Sequence, residues 1–137
     1  MRALVITGIV LCTFLTLSCA KQLPMVMNFE HEPIPASVDG KPYSLEVVQK
    51  AILKACRHKG WAASVVEEGK IIASLTIRSR HRAKISISFT SDSYSILYLD
   101  STGLNYRNGR IHSRYNHWIS RLDAELKKEF GLRTQRF

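Results

Sequence analysis

The sequence predicts an α+β domain: a four-stranded antiparallel meander with two helices packed on one face, in the order α-β-β-β-β-α. Three observations predict it. Residues 45–59 and 114–130 carry apolar side chains at spacings of three and four. Residues 61–100 alternate apolar and polar side chains with a period of two. The breaks between the alternating runs are so short that neighbouring strands must be antiparallel.

The first helix is expected from Leu45 to Lys59. Ser44 suits the N-cap, Glu46 suits the first turn, and Leu45, Val48, Ile52, Ala55 and Cys56 share one face. Arg57, His58 and Lys59 complement the C-terminal dipole, and Gly60 suits the position past the last turn. Strands follow at Trp61–Glu67, Lys70–Ser79, Arg82–Thr90 and Tyr94–Asp100, separated by Glu68-Gly69, Arg80-His81 and Ser91-Asp92-Ser93. In the second strand Ile71, Ala73, Leu75 and Ile77 alternate with Ile72, Ser74, Thr76 and Arg78; in the third, Ala83, Ile85, Ile87 and Phe89 alternate with Lys84, Ser86 and Ser88. After a loop at Thr102–Ile111, a second helix is expected from Arg114 to Phe130, capped by Ser113 and stopped by Gly131. Its stripe of Tyr115, Trp118, Ile119, Leu122, Leu126 and Phe130 reads as core; Tyr106, Asn116 and Trp118 stand out as more than filler, with Asn116 equally placed to serve as a capping aid and Trp118 as core. Both helices on one sheet face leave the other face polar and serine-rich.

Upstream of Tyr43 the chain has no periodicity. All four prolines, Pro24, Pro33, Pro35 and Pro42, fall there, and the stretch ends in Asp39-Gly40-Lys41-Pro42. It reads as an extended tether; about 20 extended residues reach ~60–70 Å. Met25, Val26, Met27 and Phe29 are apolar for a tether, which leaves two places for them: on the domain or on a bilayer surface.

The first 18 residues have another character. Met1-Arg2 is a basic start, residues 3–17 are an apolar run, and the small Ser18 precedes Cys19. This is the order of a secretory signal peptide, and the run falls short of the roughly 20 apolar residues a spanning helix needs. Leu15-Thr16-Leu17-Ser18-Cys19 resembles the lipobox of bacterial lipoproteins, with Thr16 standing where that family usually has Leu. The resemblance implies cleavage before Cys19, a diacylglyceryl thioether on its sulfur and an amide-linked fatty acid such as palmitate on its nitrogen. Several acyl chains anchor a protein stably, at roughly 0.8 kcal/mol per buried CH₂. Ala20, in the place where Asp signals inner-membrane retention in enteric-type lipoproteins, implies the outer membrane. The expected division is a signal peptide at 1–18, Cys19 and its tether at 19–42, a domain at 43–131 and a tail at 132–137.

Removing residues 1–18, whose one charged residue is Arg2, leaves 119 residues with 19 basic and 11 acidic side chains. That is one small domain with one core. Cys12 leaves with the signal and Cys19 is acylated, so Cys56 is the remaining thiol and an intramolecular disulfide is excluded. In an oxidising compartment such a cysteine is either buried and inert or a site of intermolecular pairing.

Motifs of catalysis are missing: no glycine-rich phosphate loop, no His-Glu-x-x-His, no cysteine pair at metal spacing. Catalytic residues, a metal and cofactors are therefore not expected. Cys56 and His58 lie two apart on a helix and point away from each other. His112 and His117 lie five apart with no carboxylate to complete a site. The strongest asymmetry is charge: from Lys70 to Arg121 there are nine basic residues against Asp92 and Asp100. Arg78, Arg80, His81, Arg82 and Lys84 form one cluster, and Arg107, Arg110, His112 and Arg114 a second. Two readings stand. The clusters bind an anionic partner such as lipid phosphates, lipopolysaccharide, peptidoglycan carboxylates or an acidic protein, or they are a solvated edge that blocks strand pairing. Arg110 and Arg114 at a helix N-terminus cost some tenths of a kcal/mol, which a bound anion would relieve. Nucleic acid matches the charge but not the compartment.

Gly60-Trp61, Lys70-Ile71-Ile72-Ala73, Tyr94-Ser95-Ile96 and Ile111-His112 followed by Tyr115-Asn116-His117-Trp118 resemble segments of small Gram-negative lipoproteins. The resemblance spans Tyr43–Phe130 and brings no activity with it. The expectation is a non-enzymatic envelope lipoprotein whose domain faces the periplasm and binds another envelope component. The alternative is a periplasmic small-ligand binder or enzyme with a site around Tyr106, His112 and His117.

Overall fold

The computed structural model describes residues 20–131. Cys19, the residues before it and the tail at 132–137 lie outside the described residues. The elements are β1 (Phe29–Pro33), α1 (Leu45–His58), β2 (Ala62–Glu67), β3 (Lys70–Ile77), β4 (His81–Phe89), β5 (Ser93–Thr102) and α2 (Ser113–Glu129). The strands form a five-stranded antiparallel sheet in the order β1-β5-β4-β3-β2. The α+β class and the β2–β5 meander agree with the expectation. The four-stranded count does not.

The fifth strand, β1, comes from the stretch read as a tether. It pairs with β5, Phe29 opposite Ile96 and Glu32 opposite Tyr94, with a bulge between them where His31 takes φ 53°. That bulge breaks the period of two, and Pro33 falls at the end of an edge strand, where a missing N–H is tolerated. Alternation was therefore not there to be read. The residues before β1 are also fixed: the Val26 amide donates to Gly109 O at 2.8 Å and the Ile111 amide to Pro24 O at 3.0 Å. Val26, Met27 and Phe29 pack against the core, which places them on the domain, while Met25 stays 58% exposed.

The helices follow their caps. Ser44 Oγ accepts from the Val47 amide at 3.3 Å to start α1, and Gly60 takes φ 80° beyond its end. α2 begins one residue earlier than expected, with His112 rather than Ser113 as N-cap; His112 Nδ1 accepts from the Arg114 amide at 3.2 Å. An imidazole nitrogen here does the work of a capping hydroxyl. Val48, Ile52, Ala55 and Cys56 of α1 and Tyr115, Ile119, Leu122 and Leu126 of α2 are buried. They meet Ile71, Ala73 and Leu75 of β3 and Ala83, Ile85, Ile87 and Phe89 of β4 in one core. The outward residues Thr76, Arg82, Lys84 and Ser88 are exposed. Lys127 closes the β1 side of α2, reaching Asp123 at 2.7 Å and Glu32 at 3.1 Å.

Candidate functional site

Antiparallel connectivity brings the two basic clusters to one end of the sheet. The end of β3, the start of β4, the end of β5 and the start of α2 all lie there. The β3–β4 turn is closed by the Arg80 amide donating to Ile77 O at 3.2 Å, with Arg78 and Ser79 at φ 51° and 57°. Gly103 seats this turn against the β5–α2 connection. Its φ is 73°, and a Cβ there would stand 2.3 Å from Arg80 O. His81 Nδ1 donates to Gly103 O at 2.9 Å.

The connection is itself ordered. Leu104 is buried, and Arg107 and Arg110 exchange two backbone hydrogen bonds around Asn108 (φ 51°) and Gly109 (φ 74°). This is the tight hairpin turn that an Asn-Gly pair favours, a signal carried by Asn108-Gly109 in the sequence itself. Half-buried Arg110 engages the N-terminal segment, Nη1 donating to Leu23 O at 2.8 Å. Arg78, Arg80, Arg82, Lys84, Arg107 and Arg114 are exposed. The ion pairs among the described residues use Lys50, Lys54, His58, Lys59, Lys70 and Lys127, and none of these six basic residues. The first turn of α2 holds no acid. Arg82 and Lys84 stand apart from the rest, on the outer sheet face opposite Thr102 and Asp100. There they border a shallow depression with Ser74, Thr76 and Ser101.

The site imagined around Tyr106, His112 and His117 is not assembled. Tyr106 stacks on Tyr98 with ring centroids 4.4 Å apart and lines a cleft with Leu23, Asn105 and Arg107. His112 is occupied as the cap of α2, and His117 is exposed on that helix. Neither histidine lines the cleft.

Three features have only tertiary origins. Of the two places open to Asn116, the structure shows the one beyond a cap, a clamp on the N-terminal segment: its Oδ1 accepts from the Met27 amide at 2.9 Å and its Nδ2 donates to Met25 O at 2.8 Å. His58, Glu125 and Glu129 bring possible metal-ligand atoms within 4.8 Å of one another. Lys54 and Lys59 already hold the two carboxylates, at 2.9 Å and 3.2 Å, so the group is a charge network between the helices. An open cleft of about 260 Å³ lies between Trp61 and Trp118, with Lys59 and Arg121 among its lining residues. Cys56 is wholly buried, and desolvation pushes its thiol up to about 12, which makes it inert in the folded chain.

Among the described residues no helix is long and apolar enough to cross a membrane. Comparison with protein-family models, curated proteins and solved structures returned no match.

Proposed function

We propose that the protein is a lipid-anchored lipoprotein of the Gram-negative cell envelope, held in the outer membrane with its domain toward the periplasm. Its role is to bind another envelope component without catalysis. The anchor reading rests on the Leu15–Cys19 sequence. The binding reading rests on one observation: the outer sheet face mixes serines with Ile72 and Leu97, and at one end carries Arg82 and Lys84, which enter no ion pair among the described residues. Ser64, Ser74, Ser86, Ser88 and Ser95 lie in its rows, with Arg82 and Lys84 beside them. Short hydroxyls beside cations suit a partner that presents carboxylates and hydroxyls, as peptidoglycan or an acidic protein does.

Crosslinking in living cells tests both parts, with wild type, Cys19→Ala and Arg82→Glu/Lys84→Glu side by side. A crosslinked component lost in both variants supports an anchored binding module. The same component captured equally from all three would remove the anchor and this face from the account.

A further inference from the structure

We propose that the end of the domain carrying Lys21, Met25, Arg78, Arg80, Tyr106 and Arg107 lies on an anionic phospholipid surface. This rests on the lipoprotein reading and adds which part of the domain meets the membrane.

Position is the first support. The N-terminal segment reaches the domain at its basic end, where Leu23 O accepts from Arg110, Pro24 O accepts from the Ile111 amide and Met25 bridges to Arg110. Cys19 precedes Leu23 by four residues in the sequence, a span of at most about 14 Å. Acyl chains on Cys19 therefore hold this end of the sheet, and not the other, beside the bilayer. The long tether expected from the prolines is taken up by β1 and its docked approach.

Charge is the second. The near end bears arginines that no described acid pairs with, whereas Glu67, Glu68 and Asp92 sit in the turns at the far end. A domain charged in this way turns its basic end to an anionic leaflet within a Debye length of about 10 Å. Each basic residue near such a surface contributes about fivefold in binding.

The third support is apolar. Met25 is 58% exposed and Tyr106 45% exposed, both at this same end among the arginines. Large amphipathic side chains flanked by cations suit the headgroup region, where a ring or thioether enters the acyl boundary and the charges stay with the phosphates.

The test uses the mature protein purified from membranes and weighed intact to read acylation on Cys19. It is reconstituted into vesicles of phosphatidylcholine alone and into vesicles that also contain phosphatidylglycerol. Amide hydrogen exchange is followed at residues 103–111, with residues 67–70 at the far end as the internal control. Residues 103–111 should exchange several-fold more slowly only on anionic vesicles. High salt should abolish the difference, and so should Arg78→Glu/Arg80→Glu/Arg107→Glu; the neutral Gln triple variant guards against a folding defect. Equal exchange on both vesicles overturns the proposal. So does protection conferred by peptidoglycan fragments or an acidic protein but not by phosphatidylglycerol, which would assign the surface to that partner. A protein without acyl mass removes the lipoprotein reading by itself. Flotation of that unacylated protein with phosphatidylglycerol vesicles then decides the surface, co-flotation upholding it and its absence overturning it.

Discussion

Tyr94 and Asp123 meet inside the domain, the phenolic hydroxyl donating to Asp123 Oδ1 at 2.6 Å, with Tyr94 1% and Asp123 5% exposed. Lys127 occupies the second carboxylate oxygen, so a buried charge has partners on both sides. Burial, and then the neighbouring carboxylate, push the Tyr94 phenol far above its ordinary value, so it remains a protonated donor around neutral pH. Tyr94→Phe keeps the ring and deletes the donor. It should cost about 1–3 kcal/mol in urea unfolding, with the slope unchanged. A loss too small to measure would mean that Asp123 finds another donor, such as water.

Asn116→Ala should loosen the segment before β1 without opening the core. The variant loses the bonds to the Met27 amide and Met25 O, at about 1 kcal/mol each. Hydrogen exchange at Val26 and Met27 should accelerate well beyond any change at Ile85 or Ile87. Uniform acceleration across the domain would show that the segment and the core open together.

Glu125 supplies a pH dependence. The hydrogen bond from His58, and then Lys59, hold its carboxyl below the ordinary 4.5, against the opposing effect of burial. A carboxyl depressed by folding contributes stability that is fully present above its unfolded value and lost as pH falls through its folded one. Stability should therefore decline below about pH 4.5, and Glu125→Gln should flatten that decline. Parallel wild-type and variant curves in acid would clear Glu125 of the effect.

Two turn residues should respond in opposite directions. Gly103→Ala puts a Cβ into Arg80 O at a positive φ, and should destabilise by more than about 2 kcal/mol. Ser79→Gly relieves a side chain held at φ 57° and should stabilise by about 1 kcal/mol. Thermal melts of both variants check the pair; a neutral Gly103→Ala would show that the turn and the connection can part at little cost.

What the sequence made legible divides by range. α1 and the β2–β5 meander were readable because Ser44, Gly60 and the alternation from Ile71 to Phe89 act through near neighbours in the chain. β1 was not, because its partner lies far downstream and its bulge at His31 disrupts the period. His112 displaced Ser113 as the cap because an imidazole nitrogen satisfies the Arg114 amide, a choice that residue preferences rank low. The basic residues of both clusters were legible as charge. Their shared end follows from the antiparallel meander, but the close seating of the β3–β4 turn on the β5–α2 connection was not legible, since it depends on Gly103 lying against Arg80 O. Arg110 shows the limit from the other side: counted among free cations, it is engaged with Leu23.

The docking of β1 carries a consequence for the order of events in biosynthesis. Phe29 needs Ile96 and Met27 needs Asn116, 89 positions later, so the earliest portion of the domain to be made is among the last to be placed. Until β1 docks, the flank of β5 is an unguarded ladder of amides and carbonyls, open to pairing with a neighbouring chain. A chain ending before residue 116 lacks the side chain that holds Met25 and Met27, so completion of the last helix is what fastens the clasp.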